Sequence, residues 1–446
     1  MSNGTEREQW GSKLGFVLAA AGSAVGLGNI WRFPYITGQN GGAAFVLLYL
    51  ALVFVIGFSV MLAEIAIGRN AQLNAVGSFR KIKGGIWPLV GWMGVIAGFI
   101  ILSYYGVIAG WTMAYILKSF TGLMGAAAEG AAGDVFGGFI TNTAQAVAWQ
   151  ALFMVITIYI VYKGIGGGIE KYCKVLMPAL FLLLLVLIVR SVTLPGAGEG
   201  VSFYLKPDFS KLTAGAMGSA LGQAFFSLSL GMGCMITYGS YLGKKEMLPG
   251  AAIQVCFLDS LVAFLAGLVI FPAVFAFGLD AGAGPGLTFI TLPNVFAQMP
   301  GGAVWSAMFF LLLFVAALTS AISLLEVVAA YFIDEMKWTR SKAAWVMGGV
   351  IFLLGIPSTL GISGVIPKLA GRDFLDSADF LASNVLLPLG GFFIALFVGW
   401  IWTDGAKQEV ENGGAAPFGL YVPWLWVCRV VAPLAIAYIF ITGLKW

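Results

Sequence analysis

Apolar residues run along this chain in long blocks separated by short polar segments. A helix needs about 20 mainly apolar residues to cross the hydrocarbon layer of a bilayer. By that length the pattern predicts eleven spans, at 12–36, 42–68, 88–118, 144–162, 172–191, 214–241, 248–278, 303–335, 343–357, 378–402 and 420–443, with 343–357 the shortest. The segment 285–298, bounded by Pro285 and Pro300 and broken by Pro293, is too short to cross and reads as a loop helix folded back over one face.

Two of the spans are interrupted. In the first, Gly22, Gly26 and Gly28 remove side chains where a helix would pack them, and Asn29 and Arg32 follow at membrane depth. In the sixth, Ser227-Leu-Ser-Leu-Gly-Met-Gly233 does the same near the middle of the chain. Loosened backbone is tolerated at membrane depth only where it lines a cavity or is buried in protein. Interrupted segments in corresponding places of two halves point to the binding site of a secondary transporter. The placement of the breaks predicts an all-α membrane protein with a five-plus-five inverted repeat, 12–191 and 214–402, and an additional eleventh span at 420–443, forming one transporter domain over 1–446.

Composition narrows the chemistry. The chain is 60% hydrophobic and 10% charged, with a mean hydropathy of +0.95, the profile of a polytopic membrane protein. It has no histidine, and its four cysteines, Cys173, Cys234, Cys256 and Cys428, lie in or beside apolar runs. Histidine-based catalysis is thereby excluded, and neither a disulfide framework nor a zinc site is supported. The net charge of +4 matters less than its distribution. With the N-terminus inside, the inner segments hold fifteen Lys and Arg and the outer segments seven, including Lys445, which predicts an inside N-terminus and an outside C-terminus. No small-residue cleavage signature follows the first apolar run, so no removable signal peptide is expected.

An ordered series of motifs carries a resemblance. Trp10 is followed by GSAVGLGNIWRFPY at 22–35, NGGAAF at 40–45, EIAIGR at 64–69, YYG at 104–106 and GW at 110–111. GQAFFSLSLGMG at 222–233, TYGSY at 237–241, LTS at 318–320 and DF at 379–380 complete it. The series resembles the neurotransmitter:sodium symporter family, in particular its eleven-span bacterial amino-acid carriers, which lack the family's common twelfth span. It covers most of the first ten spans.

The resemblance implies two sodium sites and no organic cofactor. One takes the carbonyl of Ala24, the side chain of Asn29, the oxygens of Ser227 and the carboxylate of Asp259; the other takes the carbonyls of Gly22, Val25 and Ala316 and the hydroxyls of Thr319 and Ser320. A hard cation wants several oxygens, which unwound backbone and hydroxyls supply. On the residues alone, Thr319 and Ser320 fit back-bonding to a carbonyl one turn earlier as well; the resemblance favours sodium. The implied substrate site lies between the breaks and includes Ser23, Ala24, Gly26, Gly28, Ser227 and Ser320. Tyr105 holds the substrate carboxylate, and Ile101, Ile108, Phe226, Ser229, Met232 and Leu324 surround the substrate side chain. Without that context the apolar members read as helix packing. Family members that carry amines place an aspartate where Gly26 stands, so glycine favours a substrate that brings its own carboxylate.

Charges within spans are costly and point to function. Arg32 and Asp379 resemble the pair that closes the outer vestibule; Arg7 and Asp334, with Trp10, Ser240 and Tyr241, resemble the inner gate, although Arg7 and Asp334 also fit ordinary interfacial charges. Glu64 is expected to pair with unwound amides of the first broken helix, and Glu326 has no assignment. Chloride-dependent members carry an asparagine at Asp259 and a serine at Ala263, so a fixed carboxylate is expected to replace chloride here, with Gln223 and Tyr49 as neighbours. Gly168 and Pro178 bracket nine residues that either unwind to admit water or mark a helix start near 170 and a kink.

Taken together, the expectation is a sodium-coupled, chloride-independent symporter for neutral hydrophobic L-amino acids such as leucine, tryptophan or tyrosine. It would lie in a bacterial inner membrane, with the bilayer and no nucleic acid as partner. The rivals are a membrane sensor that binds the same solute without moving it and an intramembrane enzyme. The enzyme is disfavoured by the lack of histidine and of any nucleophile–base pair.

Overall fold

The computed structural model describes residues 7–212, 214–279, 286–368 and 371–444. Among them, nine helices are long and apolar enough to cross a bilayer: Ala43–Ala71, Pro88–Lys118, Thr143–Tyr162, Ile165–Val192, Leu248–Ala276, Gly302–Asp334, Arg340–Ile362, Phe374–Ile401 and Tyr421–Gly443. A tenth passage is the pair Lys13–Ala24 and Gly28–Gln39, bent by 51° at the break. The other interrupted segment forms Ala214–Ser227 and Cys234–Gly239, pieces of 14 and 6 residues, each too short to cross alone. Counting them as one passage decides between ten and eleven.

Several boundaries differ from the hydropathy reading. The short span at 343–357 is a helix of 23 residues, because the polar first turn at Arg340 is capped by Thr339 and Pro357 is absorbed within it. The span at 172–191 starts earlier, at Ile165, through a π turn over 165–170. The stretch between Gly168 and Pro178 is therefore wound in this structure, and Pro178 lies inside the helix. The expected loop helix is Leu287–Ala297, while Pro285 and Lys445 lie outside the described residues.

The core gathers around helices 302–334 and 88–118, which are the most enclosed of the long helices. Both are mostly apolar around their circumference, as helices at the centre of a membrane bundle are. Helices 165–192 and 421–443 are the least enclosed, and exposed side chains such as Leu182, Val189, Leu434 and Ile441 form a sheath suited to lipid. Helix 13–24 starts with Ser12, whose hydroxyl accepts the Gly15 amide at 3.0 Å, and runs into the core toward the bend.

Candidate functional site

Both breaks open at the same place. Helix 13–24 stops where Val25 turns extended (φ −71°, ψ 107°). In the other segment Ser229, Gly231 and Gly233 all have positive φ, at 54°, 76° and 75°, so the helix cannot continue. At Gly231 a Cβ would also run into the carbonyl of Leu387. The Ser229 hydroxyl donates to the Ser23 carbonyl at 2.8 Å and ties one break to the other. Glu64 accepts the Gly231 amide at 2.7 Å, with the amides of Met235 and Ile236 also turned toward it. It supports the second break and not the first, because the freed amides of 231–236 are the ones that face helix 43–71.

Twelve of the thirteen residues expected around the substrate line one small cavity: Ser23, Ala24, Gly26, Gly28, Ile101, Tyr105, Phe226, Ser227, Ser229, Met232, Ser320 and Leu324. Ile108 does not; it lines the cavity above. The small cavity measures about 20 Å³, room for a single water. An amino acid enters only if its walls move. The Tyr105 hydroxyl accepts the Leu27 amide at 3.1 Å, at the exposed start of the second half-helix. A Cβ on Gly26 would lie 2.6 Å from the Ser320 hydroxyl and 2.9 Å from that of Tyr105, so any longer side chain there would displace both.

Oxygen-rich clusters flank this cavity. On one side Asn29 Nδ2 donates to Asp259 Oδ1 at 2.7 Å and Ser227 Oγ at 3.0 Å, and Ser227 donates to both Asp259 oxygens at 2.9 Å. Asn29 Oδ1 meanwhile accepts the Gly26 amide. Tyr49 reaches Ser227 at 3.2 Å and Asp259 at 3.3 Å, while Gln223 donates to the Gly28 carbonyl at 2.8 Å. Ala263, fully buried, offers no ligand. On the other side Ser320 Oγ lies 3.1 Å from the carbonyl of Val25 and 3.5 Å from that of Gly22, and Thr319 Oγ1 lies 3.5 Å from Val25 and 3.0 Å from Ala316. Thr319 thus back-bonds within its own helix, while Ser320 reaches across to the first break. The two hydroxyls thus bring the carbonyls of Gly22, Val25 and Ala316 into one oxygen-rich cluster.

The end carrying Arg7 and Asp334, here called inner, is closed. Arg7 Nη1 contacts both Asp334 oxygens at 2.8 Å, its Nη2 donates to Ser240 at 2.7 Å, and its guanidinium lies 4.5 Å from the Tyr241 ring. Trp10 donates to the Tyr238 carbonyl at 2.9 Å and packs edge-on against Tyr238 and Tyr241. Glu326 joins this network: it accepts from the Tyr241 hydroxyl at 2.6 Å and from Arg340 at 2.8 and 3.1 Å. Arg340 also pairs with Glu8 at 3.1 Å, and Glu8 accepts the Ile165 amide at 2.6 Å. Asn74 adds an amide to Asp334 at 2.6 Å. A lone carboxylate in an apolar run signalled Glu326; Glu8, Asn74 and Arg340 lie at helix ends and leave no local pattern.

The opposite end is open. Arg32 and Asp379 line one cavity of about 400 Å³ above the small one, together with Tyr104, Trp111 and Phe289. The expected ion pair between them is not formed among the described residues. Arg32 instead lies 5.0 Å over the Phe226 ring, and Asp379 accepts from Tyr104 at 2.8 Å and Ser383 at 2.9 Å. Asp379 is thus hydrogen-bonded within its own surroundings, and Arg32 rests on a ring, with both facing the same cavity.

Comparisons with known proteins place the chain among sodium-dependent transporters. The model of the sodium:neurotransmitter symporter family matches residues 7–128 and 140–445. An uncharacterized sodium-dependent transporter of Bacillus subtilis is 43% identical over 97% of each chain. Another from Haemophilus influenzae is 39% identical over 99% of each. Among solved structures, MhsT in complex with L-phenylalanine matches with a TM-score of 0.90 and 50% identity, covering 98% of this chain and 100% of that one.

Proposed function

The chain belongs to the sodium:neurotransmitter symporter family, and from that premise we propose that it imports neutral hydrophobic and aromatic L-amino acids with sodium, by alternating access and without chloride. The observation that carries this reading is the meeting of two helix breaks, two oxygen clusters and the Tyr105 hydroxyl around one cavity. The substrate carboxylate lies at the amide-bearing start of the second half-helix, beside Tyr105, and completes the oxygen set of Asn29, Ser227 and Asp259. Asp259 supplies the fixed negative charge that makes chloride unnecessary, and Thr319 and Ser320 hold the second sodium. Met232 and Leu324 bound the side-chain end; methionine repacks around ligands of different shape. A protein 50% identical was crystallised with L-phenylalanine, which supports an aromatic substrate. The repeats are 12–191 and 214–402, and the protein sits in a bacterial inner membrane with its N-terminus inside and its C-terminus outside.

The test is accumulation of labelled phenylalanine and leucine in vesicles reconstituted with the protein. A sodium gradient should drive uptake, a potassium gradient should not, and gluconate in place of chloride should leave it intact. Binding without accumulation would make the protein a sensor; loss of uptake without chloride would overturn the role given to Asp259.

A further inference from the structure

Arg32 at the outer cavity and Arg429 in helix 421–443 are basic residues within membrane-spanning helices. Helices 374–401 and 421–443 each widen into a π turn where they cross, over 397–401 and 427–431. Here the two wider turns bring the two backbones together. A Cβ on Gly399 would lie 3.0 Å from the backbone of Arg429, so the close crossing depends on glycine. Arg429 Nε donates to the Gly399 carbonyl at 2.6 Å, and Trp400 Nε1 donates back to the Arg429 carbonyl at 3.2 Å. The guanidinium carbon sits 5.4 Å over the Trp400 ring.

This clasp uses one guanidinium nitrogen. The other two, Nη1 and Nη2, have no hydrogen bond or ion pair among the described residues. Asp404 and Glu411 share the surroundings of Tyr421 with Arg429, but neither closes on it. The plain reading is a cation that caps the last carbonyls of helix 374–401. A cap explains Nε; it leaves two unsatisfied donors on the outside of the bundle. That outside is lipid: Trp400 is 59% exposed, Trp426 57% and Leu434 68%. Gly399 lies two residues before the end of its helix at Ile401, which puts the guanidinium at the level where tryptophans mark the membrane interface.

We propose that the seam between helices 374–401 and 421–443 binds the headgroup of an anionic phospholipid. Its phosphodiester accepts from Arg429 Nη1 and Nη2 over the Trp400 ring, and its acyl chains run along Val431 and Leu434. Planar, paired donors match a phosphate. Basic positions between spanning helices on the side with the excess of Lys and Arg select acidic lipids. The flanking apolar side chains favour a lipid over a free anion, which would have to leave water to arrive there.

The proposal needs only a membrane-spanning chain, so its test omits sodium and amino acid and can fail without touching the transport reading. The full-length protein is equilibrated with phosphatidylglycerol and phosphatidylcholine in equal amounts, and bound lipid is counted by native mass spectrometry. The parent should prefer phosphatidylglycerol by about fivefold, the worth of one interfacial cation, and Arg429→Gln should lose that preference. Lys83→Gln, a surface cation elsewhere, should keep it. Trp400→Leu leaves the Arg429–Gly399 bond intact and should show a smaller loss in the same direction, which retains a readout if Arg429→Gln fails to fold. Equal preference in the parent and both seam variants would overturn the proposal, as would displacement of the bound lipid by excess inorganic phosphate.

Discussion

At the inner end, Arg7, Asp334, Glu326 and Arg340 are each held by two or more partners in a network that excludes most water; at the outer end, Arg32 and Asp379 face a common cavity and do not touch. Side-chain exposure at the inner end is 16% for Arg340 and none for Glu326. Both ends carry opposite charges at comparable places, so the difference lies in solvent. A buried pair that loses one partner leaves an uncompensated charge. A hydrated pair loses little, because water replaces the partner. The same residue types therefore act as a lock at one end and as a weak latch at the other. The structure is the state in which the lock is shut and the latch is open.

The largest expected effect comes from breaking the lock. Glu326→Ala leaves Arg340 and the Tyr241 hydroxyl without their carboxylate. Removing one member of a buried pair costs about 3–5 kcal/mol. Opening the inner end lets water reach Arg340, so the cost falls on the closed state. A permeant maleimide reports this through Cys234, buried below the breaks, in a background where Cys173, Cys256 and Cys428 are alanine. Labelling should accelerate by more than a hundredfold, since each 1.4 kcal/mol is roughly a factor of ten, and uptake should collapse. A folded variant that labels like its parent would remove the network as a lock.

Sodium should act on the same equilibrium through Ser320, which ties helix 302–334 to the carbonyls of Gly22, Ser23 and Val25. In the parent, sodium is expected to slow Cys234 labelling by an amount typical of coupled sites, about 1–3 kcal/mol. Replacing Thr319 and Ser320 together by Ala should abolish that response and the sodium dependence of uptake. An unchanged sodium response would remove both residues from the site.

Between lock and latch lies the small cavity, which Met232 lines together with Ile101 and Leu324. Met232→Phe replaces an adaptable chain with a rigid ring. It should weaken tryptophan more than leucine by about 1–3 kcal/mol, the worth of one or two methylene-sized contacts. Competition of both amino acids against labelled phenylalanine measures the difference. Equal weakening would reduce Met232 to lining.

Long apolar runs make the helices legible, and the residue types at 22–34 and 227–233 locate both breaks. The helix at 340–362 was underestimated because polar first turns look like loop to a hydropathy window. Most of the cavity was legible only through the family resemblance, since its apolar walls alone read as helix packing and four of its lining residues lie away from the breaks. What sequence could not supply was pairing over distance. The partner of Glu326 begins the next helix, that of Glu8 lies 157 residues on, and Glu64 serves the second break where the first is expected. Nor could it tell that Arg32 and Asp379 would stand apart, because that depends on which end is open.

The latch gives the smallest effect and the sharpest test of the contrast. Asp379→Asn keeps an acceptor for Tyr104 and Ser383 while removing the charge that faces Arg32. Because the pair is unformed in this state, Cys234 labelling without substrate should match the parent. The cost appears only when the outer end closes over substrate. It should then be no more than about 1 kcal/mol, the range of hydrated pairs, and read as a loss of up to about fivefold in apparent substrate affinity. It should shrink further at high ionic strength, since solvated charges are screened and buried ones are not. Arg32→Gln tests the same pair from the other side and also removes the cation over Phe226, so a slightly larger loss is expected. If either variant changed labelling as strongly as Glu326→Ala, the outer pair would be closing in a dry site. The two ends would then be equivalent locks, and the contrast would describe one moment of the cycle and not a division of labour.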